Sequence, residues 1–286
     1  MCHISLIEVI SLSTFAARFK MEITTIIGFL AASIIGISLG LIGGGGSIIT
    51  VPVLVYLLNT DPVTATAYSL FVVGTASLVG SFNYFKKGLV NLKTAVIFGL
   101  PAIGTVYLMR KVVVPSIPEN LIEMGGIVLT KDMAIMILFA IAMITASASM
   151  IRGPKDPGTP YSKTELNYPP IFIFGLLVGT FTGLVGAGGG FLIIPALLVL
   201  AKLPMKEAVG TSLLIIACNS LIGFMGDVTR REIDWNLLLL FTGIAVVGIF
   251  IGSALSNKMD GAKLKPAFGW FVLIMGVFIL GKSLIN

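Results

Sequence analysis

Four glycines in a row, Gly43, Gly44, Gly45 and Gly46, stand inside an apolar run, "LIGGGGSIITVPVL" at 41–54. A second cluster, Gly186, Gly188, Gly189 and Gly190, stands inside another, "GLVGAGGGFLIIPALLVL" at 183–200. Glycine brings no acid, base or nucleophile. What it exposes is backbone: a glycine run leaves helical geometry cheaply and lets a ligand approach main-chain N–H groups directly. A short apolar helix can begin after each cluster, near 47–58 and near 190–201. Its first-turn N–H groups have no intrahelical partners, and together with the helix dipole they favour an anion. The chemistry on offer is recognition of a small anion by two half-helix N-termini. Packing is the competing use of glycine in membrane helices, and Gly36, Gly40 and Gly44 carry the small-xxx-small spacing that serves it. Packing alone needs neither four consecutive glycines nor their return in a second place.

Polar side chains near these breaks complete the candidate site. Ser47 follows the first cluster, with Thr50 one turn on. Ser69 and Ser212 occupy matching positions in two later segments, and Asn219 shares a helix face with Ser212. Asn219 is open to two uses, substrate contact or interhelical hydrogen bonding; for the hydroxyls a back-bond to the helix is the common alternative. Pro52 and Pro195 lie inside the short helices and would free the carbonyls of Ile48 and Phe191, as a kink or a gating bend. No Asp, Glu, Lys or Arg falls within the apolar segments, so no charged side chain is available there to bind an anion or a cation. Asp61, Glu207, Asp227 and Asp234 stand at segment edges, where loop solvation and capping are their ordinary roles. The glycine run lacks the GK[ST] of a nucleotide-binding loop. Ser47, Ser69 and Ser212 have no histidine, lysine or carboxylate partner within the segments, which argues against an enzyme. No catalytic residue, metal site or cofactor is expected.

The elements that must hold this site are membrane helices. Of 286 residues, 56% are hydrophobic and 11% charged, and the mean hydropathy is +1.04. A soluble domain carries about 25% charged residues. Apolar segments recur at 24–58, 63–85, 94–109, 133–151, 170–201, 208–226, 236–257 and 266–281, without the alternation of barrel strands. The net charge of +6 sits in short loops, as topology signals do, and does not mark a nucleic-acid partner. Trp235 and Trp270 read as interfacial anchors, and Asn83 as a solvent-facing residue near a span end. The expected fold is an all-α polytopic membrane protein of about eight transmembrane helices. Each long glycine-broken segment counts there as one interrupted span; the alternative is a re-entrant hairpin tipped by glycine. Displaced by 143 residues, 40–80 aligns with 183–223 without a gap, with glycines and a proline in register. An internal duplication follows: a first repeat at 22–151, a polar linker at 152–169 and a second repeat at 170–286. Residues 1–21 form an N-terminal extension without the features of a signal peptide, and Met21 is as good a start as Met1. Cys2 and Cys218 imply no disulfide framework, and His3 no metal site.

Two copies of G-L-[IV]-G-x-G-G, each followed by an apolar helix with proline, and the paired "ATAYSL" (65–70) and "AVGTSL" (208–213), resemble the TauE/SafE family of membrane transporters. The resemblance runs from about residue 22 to 284. It implies a multi-pass plasma-membrane carrier that exports sulfite, a sulfonate or a related small anion by alternating access. Its partners would be that anion and the lipid bilayer, with homo-oligomerisation left open. A carrier or channel for another small oxyanion or ion, or a membrane assembly factor without transport, stay as alternatives. The stretch 110–132 departs from the family pattern, being longer and more polar than its counterpart in the second half; an extramembrane hairpin or an amphipathic segment is expected there.

Overall fold

The computed structural model describes residues 26–124, 127–152, 168–229, 232–256 and 261–285. The expectations for residues 1–21, with Cys2, His3 and the choice of Met21 as start, lie outside these residues. So does the body of the 152–169 linker. The helices are α1 (Ile26–Ile42), α2 (Gly46–Tyr56), α3 (Pro62–Lys86) and α4 (Leu92–Leu108). α4 winds on through a π-helical turn, Met109–Val113, into the short α5 (Val114–Ser116). After it come α6 (Lys131–Arg152), α7 (Tyr168–Val185), α8 (Gly190–Val199), α9 (Met205–Asp227), α10 (Trp235–Ser256) and α11 (Gly261–Ile285). Between α5 and α6, β1 (Asn120–Met124) pairs antiparallel with β2 (Ile127–Thr130), Ile122 opposite Leu129. The polar stretch 110–132 is therefore part helix extension and part β-ribbon.

Five described helices are long and apolar enough to cross a membrane, among them Pro62–Lys86, Leu92–Ser116 and Met205–Asp227. A 25-residue helix is about 37 Å long, more than the bilayer's hydrocarbon core. The outside carries large apolar side chains: Leu30, Ile34, Leu100, Leu177 and Ile274 are each more than half exposed. In water such a surface is an aggregation liability; in lipid it is the solvated face. The chain is an all-α, multi-pass membrane protein with one small β-ribbon.

Local signals explain where the helices begin. Asp61 Oδ2 accepts from Thr64 N at 2.8 Å, with Pro62 at the first helical position of α3. Asn91 Oδ1 caps α4 through Thr94 N at 3.0 Å, and Asp234 Oδ1 caps α10 through Leu237 N at 3.1 Å. Asp61 and Asp234 thus do what carboxylates at segment edges usually do.

α3 and α9 form the buried centre. They run antiparallel: Gly210 packs on Tyr84, Gly74 on Leu221 and Gly223 on Leu70. Outer helices then cross-pack between the halves of the chain. Gly36 and Gly40 of α1 press on Ala245, Gly248 and Gly252 of α10, while Gly179 and Gly183 of α7 press on Ala102, Thr105 and Val106 of α4. The close spacing of Gly36 and Gly40 serves packing, as small-xxx-small residues do. α6 and α11 pair with each other.

At the glycine clusters the structure departs from the single interrupted span. α1 ends at Ile42 and α2 begins at Gly46, and between them the chain reverses. Gly46 lies against Ile35, Ser38 and Leu39, and Gly28 near the start of α1 lies against Leu58, just past α2. α7 and α8 turn in the same way. Gly189 lies against Val178 and Thr182, and the rings of Phe181 and Phe191 are 6.2 Å apart. The turns need glycine: Gly43 has φ +78°, and Gly186, Gly188 and Gly189 have φ +73°, +65° and +68°. A side chain in that left-handed region is strained. Each cluster is the tip of a helical hairpin, because the chain passes there through backbone that helical geometry forbids.

Candidate functional site

The two tips meet inside the protein. Gly43 to Ser47 and Gly186 to Gly190 are all buried. A Cβ built on Gly44 would stand 2.5 Å from Gly190 O, so the two main chains touch. The first turns of α2 and α8 therefore lie together, and both present N–H groups. The first tip rests on α9: Ser212 Oγ is 3.1 Å from Gly43 O and 2.8 Å from Val209 O, its proton shared between them. The second tip rests on α3 and α9, Gly186 beside Thr66 and Gly188 beside Val73 and Ser220. A Cβ on Gly188 would lie 3.1 Å from Ser220 Oγ.

Several hydroxyls back-bond, as helix-borne serines and threonines commonly do. Ser47 Oγ donates to Gly44 O at 2.7 Å and Thr50 Oγ1 to Gly46 O at 3.1 Å. Others are buried without a hydrogen-bond partner among the described residues: Ser69 Oγ, Ser77 Oγ, Ser220 Oγ, Thr182 Oγ1 and both amide atoms of Asn219. Such groups are uncommon and costly in a folded protein. Ser220 and Thr182 stand beside Gly188 and Gly189 of the second tip. The sequence reading passed over them. Ser77 and Ser220 are 143 residues apart, so the aligned halves already carried that signal. Ser69 and Asn219 are fully buried in α3 and α9, the two helices on which the tips rest. Pro52 and Pro195 sit inside α2 and α8, more than a turn beyond the tips.

The expectation of spans free of charge fails at one point. α4 does not end at Met109 but winds on through the π turn, which carries Arg110 into the interior, where it is wholly buried. Its Nη1 donates to Asp227 Oδ2 at 3.0 Å and to Thr66 Oγ1 at 2.9 Å. Asp227 is buried in this pair rather than solvating a loop. In sequence, "LMRK" looks like the end of a span; only continuation of the helix places the guanidinium inside. Asn83 is half-buried, and its Nδ2 donates to Ser253 Oγ at 3.1 Å.

Backbone N–H groups, hydroxyls and one guanidinium thus gather around the second tip, a donor-rich set suited to an oxygen-bearing anion. A family model described as sulfite exporter TauE/SafE matches residues 27–279, nearly the whole chain. The chain belongs to the TauE/SafE family. Other proteins similar to this TauE/SafE chain are named as transporters. A "Probable membrane transporter protein" of Xylella fastidiosa is 28% identical over 258 residues, covering 88% of this chain and 94% of its own. "Probable membrane transporter protein YunE" of Bacillus subtilis is 28% identical over 270 residues, covering 86% and 93%. "Probable membrane transporter protein YdhB" of the same organism is 25% identical over 252 residues, covering 88% and 98%. No solved structure matches the chain. This TauE/SafE protein is a multi-pass membrane transporter.

Proposed function

We propose that this protein is a secondary transporter of the plasma membrane that exports a small anion, sulfite or an organosulfonate, by alternating access. The anion is held between the N-terminal turns of α2 and α8. One observation carries the reading: the two tips touch, Gly44 on Gly190, in the buried centre, beside Ser220 and Thr182 hydroxyls that have no hydrogen-bond partner among the described residues. Broken helices meeting near the middle of the bilayer are a recurring design for transporter sites. Irregular backbone at that depth persists only when buried or lining a cavity, and here it is buried.

The same reading makes the chain two inverted repeats. Each has a re-entrant hairpin followed by two full spans, α1 to α4 and α7 to α10, with α6 and α11 outside this scheme. Positions 143 apart make matching contacts: Gly36 with Ala245 answers Gly179 with Ala102, and Gly43 with Val209 answers Gly186 with Thr66. One repeat rocking against the other would open the centre to each side in turn. A carrier fits better than an enzyme, because Ser47 and Ser212 spend their hydroxyl protons on backbone carbonyls. A nucleophile would need a base there.

The test is anion efflux from proteoliposomes loaded in parallel with sulfite, sulfoacetate, sulfate or chloride. Selective efflux of sulfite or sulfoacetate is expected, lost in Gly188→Leu while the variant still elutes as a monodisperse folded protein. Efflux of sulfate or chloride alone would reassign the substrate, and efflux that survives Gly188→Leu would remove the tips from the site. Absence of efflux for every anion would overturn the transporter mechanism.

A further inference from the structure

Among the described residues, Arg110 and Asp227 are the only charged side chains in the buried interior. A buried ion pair is a poor source of stability, because desolvating two charges offsets their attraction. Ionisable groups inside membrane proteins instead tend to mark the path of a substrate or ion. The position of this pair fits such a path. While Nη1 meets Asp227 and Thr66, Nη2 of the same guanidinium faces the second tip: a Cβ on Gly186 would stand 2.5 Å from it. The pair is also one-sided. Residues 143 positions away from Arg110, Asp227 and Thr66 are Ser253, Tyr84 and Val209. There the uncharged Asn83–Ser253 hydrogen bond links α3 to α10. If the pair served only to brace the halves, the neutral bond at the other end shows that a brace needs no charge.

We propose that Arg110 is an anion-binding residue of the transport site, and that Asp227 is the resident counter-charge which the transported anion displaces. This rests on the anion-carrier reading above. A guanidinium is a planar fork that grips two oxygens of one group, and sulfite and sulfonates each present such oxygens on a single sulfur. Exchange keeps the guanidinium neutralised throughout: the carboxylate covers it between cycles, the anion during one. Asp227 is the last residue of α9, two residues before the exposed Thr229, so a released carboxylate lies close to the surface at the helix end. The competition also prevents the anion from binding too tightly to leave.

The experiment compares wild type, Asp227→Asn, Arg110→Gln and the double variant Arg110→Gln/Asp227→Asn. It reads sulfite-dependent thermal stabilisation in detergent and sulfite efflux from proteoliposomes. Asp227→Asn should bind sulfite about tenfold more tightly, because its competitor is gone, and should turn over more slowly. Breaking a buried pair on one side can prevent folding, so the double variant decides: with both charges removed the fold should survive. It should lose the sulfite-dependent shift and at least about tenfold of the efflux. A double variant that keeps wild-type stabilisation and efflux, while Gly188→Leu abolishes efflux, overturns this assignment and leaves the carrier reading standing. A wild type that shows neither shift nor efflux with any anion overturns both.

Discussion

At the scale of single residues, the site is built from groups that cost the protein something. Ser220 Oγ is buried and has no hydrogen-bond partner among the described residues. Ser220→Ala should therefore leave the thermal unfolding temperature in detergent unchanged or slightly raised. If the hydroxyl meets the anion, the same variant should lose about tenfold in efflux, the worth of one hydrogen bond to a charged group. Gly186→Ala should behave in the opposite way. Its φ of +73° imposes about 1–2 kcal/mol of strain on any side chain, and the new methyl would meet Arg110 Nη2 and Thr66. A fall in unfolding temperature larger than strain alone predicts would mark that collision. The glycines were legible in the sequence because a run of four has no ordinary reason to exist in a helix. Arg110 was not, because a cation after an apolar run is what a span end looks like, and a π turn leaves no composition signal.

At the scale of elements, the sequence located the segments but not their directions. The run 24–58 is apolar whether the chain crosses once or turns back, since both faces of a hairpin buried among other helices want the same residues. The turn is decided by three-dimensional fit: Gly46 must lie on Ile35 and Gly28 on Leu58, and periodicity does not encode either contact. Glycines that look alike in sequence differ here. Gly179 has its Cβ position blocked by Ala102 and Thr105, whereas Gly104 on the next helix has nothing within 4 Å. Gly104→Ala should stabilise by up to about 1 kcal/mol through the lost backbone freedom of the unfolded chain. Gly179→Ala should instead force α7 away from α4 and lower the unfolding temperature. Parallel thermal melts of the two variants separate a packing glycine from an idle one.

At the scale of the whole molecule, reversal at the tips sets which loops share a side of the membrane. Asn59 follows the first hairpin and Lys202 follows the second; both are exposed and 143 residues apart. Interrupted spans would put these two loops on the same side. Hairpins put them on opposite sides, because α3 and α9 run antiparallel. Single cysteines at the two positions, in a background with Cys2 and Cys218 replaced by serine, should react with an impermeant thiol reagent from opposite faces of sealed vesicles. Labelling of both from one face would restore the interrupted span and parallel repeats.

The cross-packing of the halves also bears on how the chain is made. α1 fits against α10, yet α10 begins at Trp235, 193 residues after α1 ends at Ile42. At a synthesis rate of ~5–20 residues per second, the first hairpin waits roughly 10–40 s for its neighbour. For most of that time its glycine tip, with main-chain groups that lipid cannot satisfy, also lacks Gly190 and α9, which will enclose it. A ribosome stalled after the first half should leave a product that proteases clear quickly. Supplying the second half as a separate polypeptide should rescue it, since each piece is the other's missing wall.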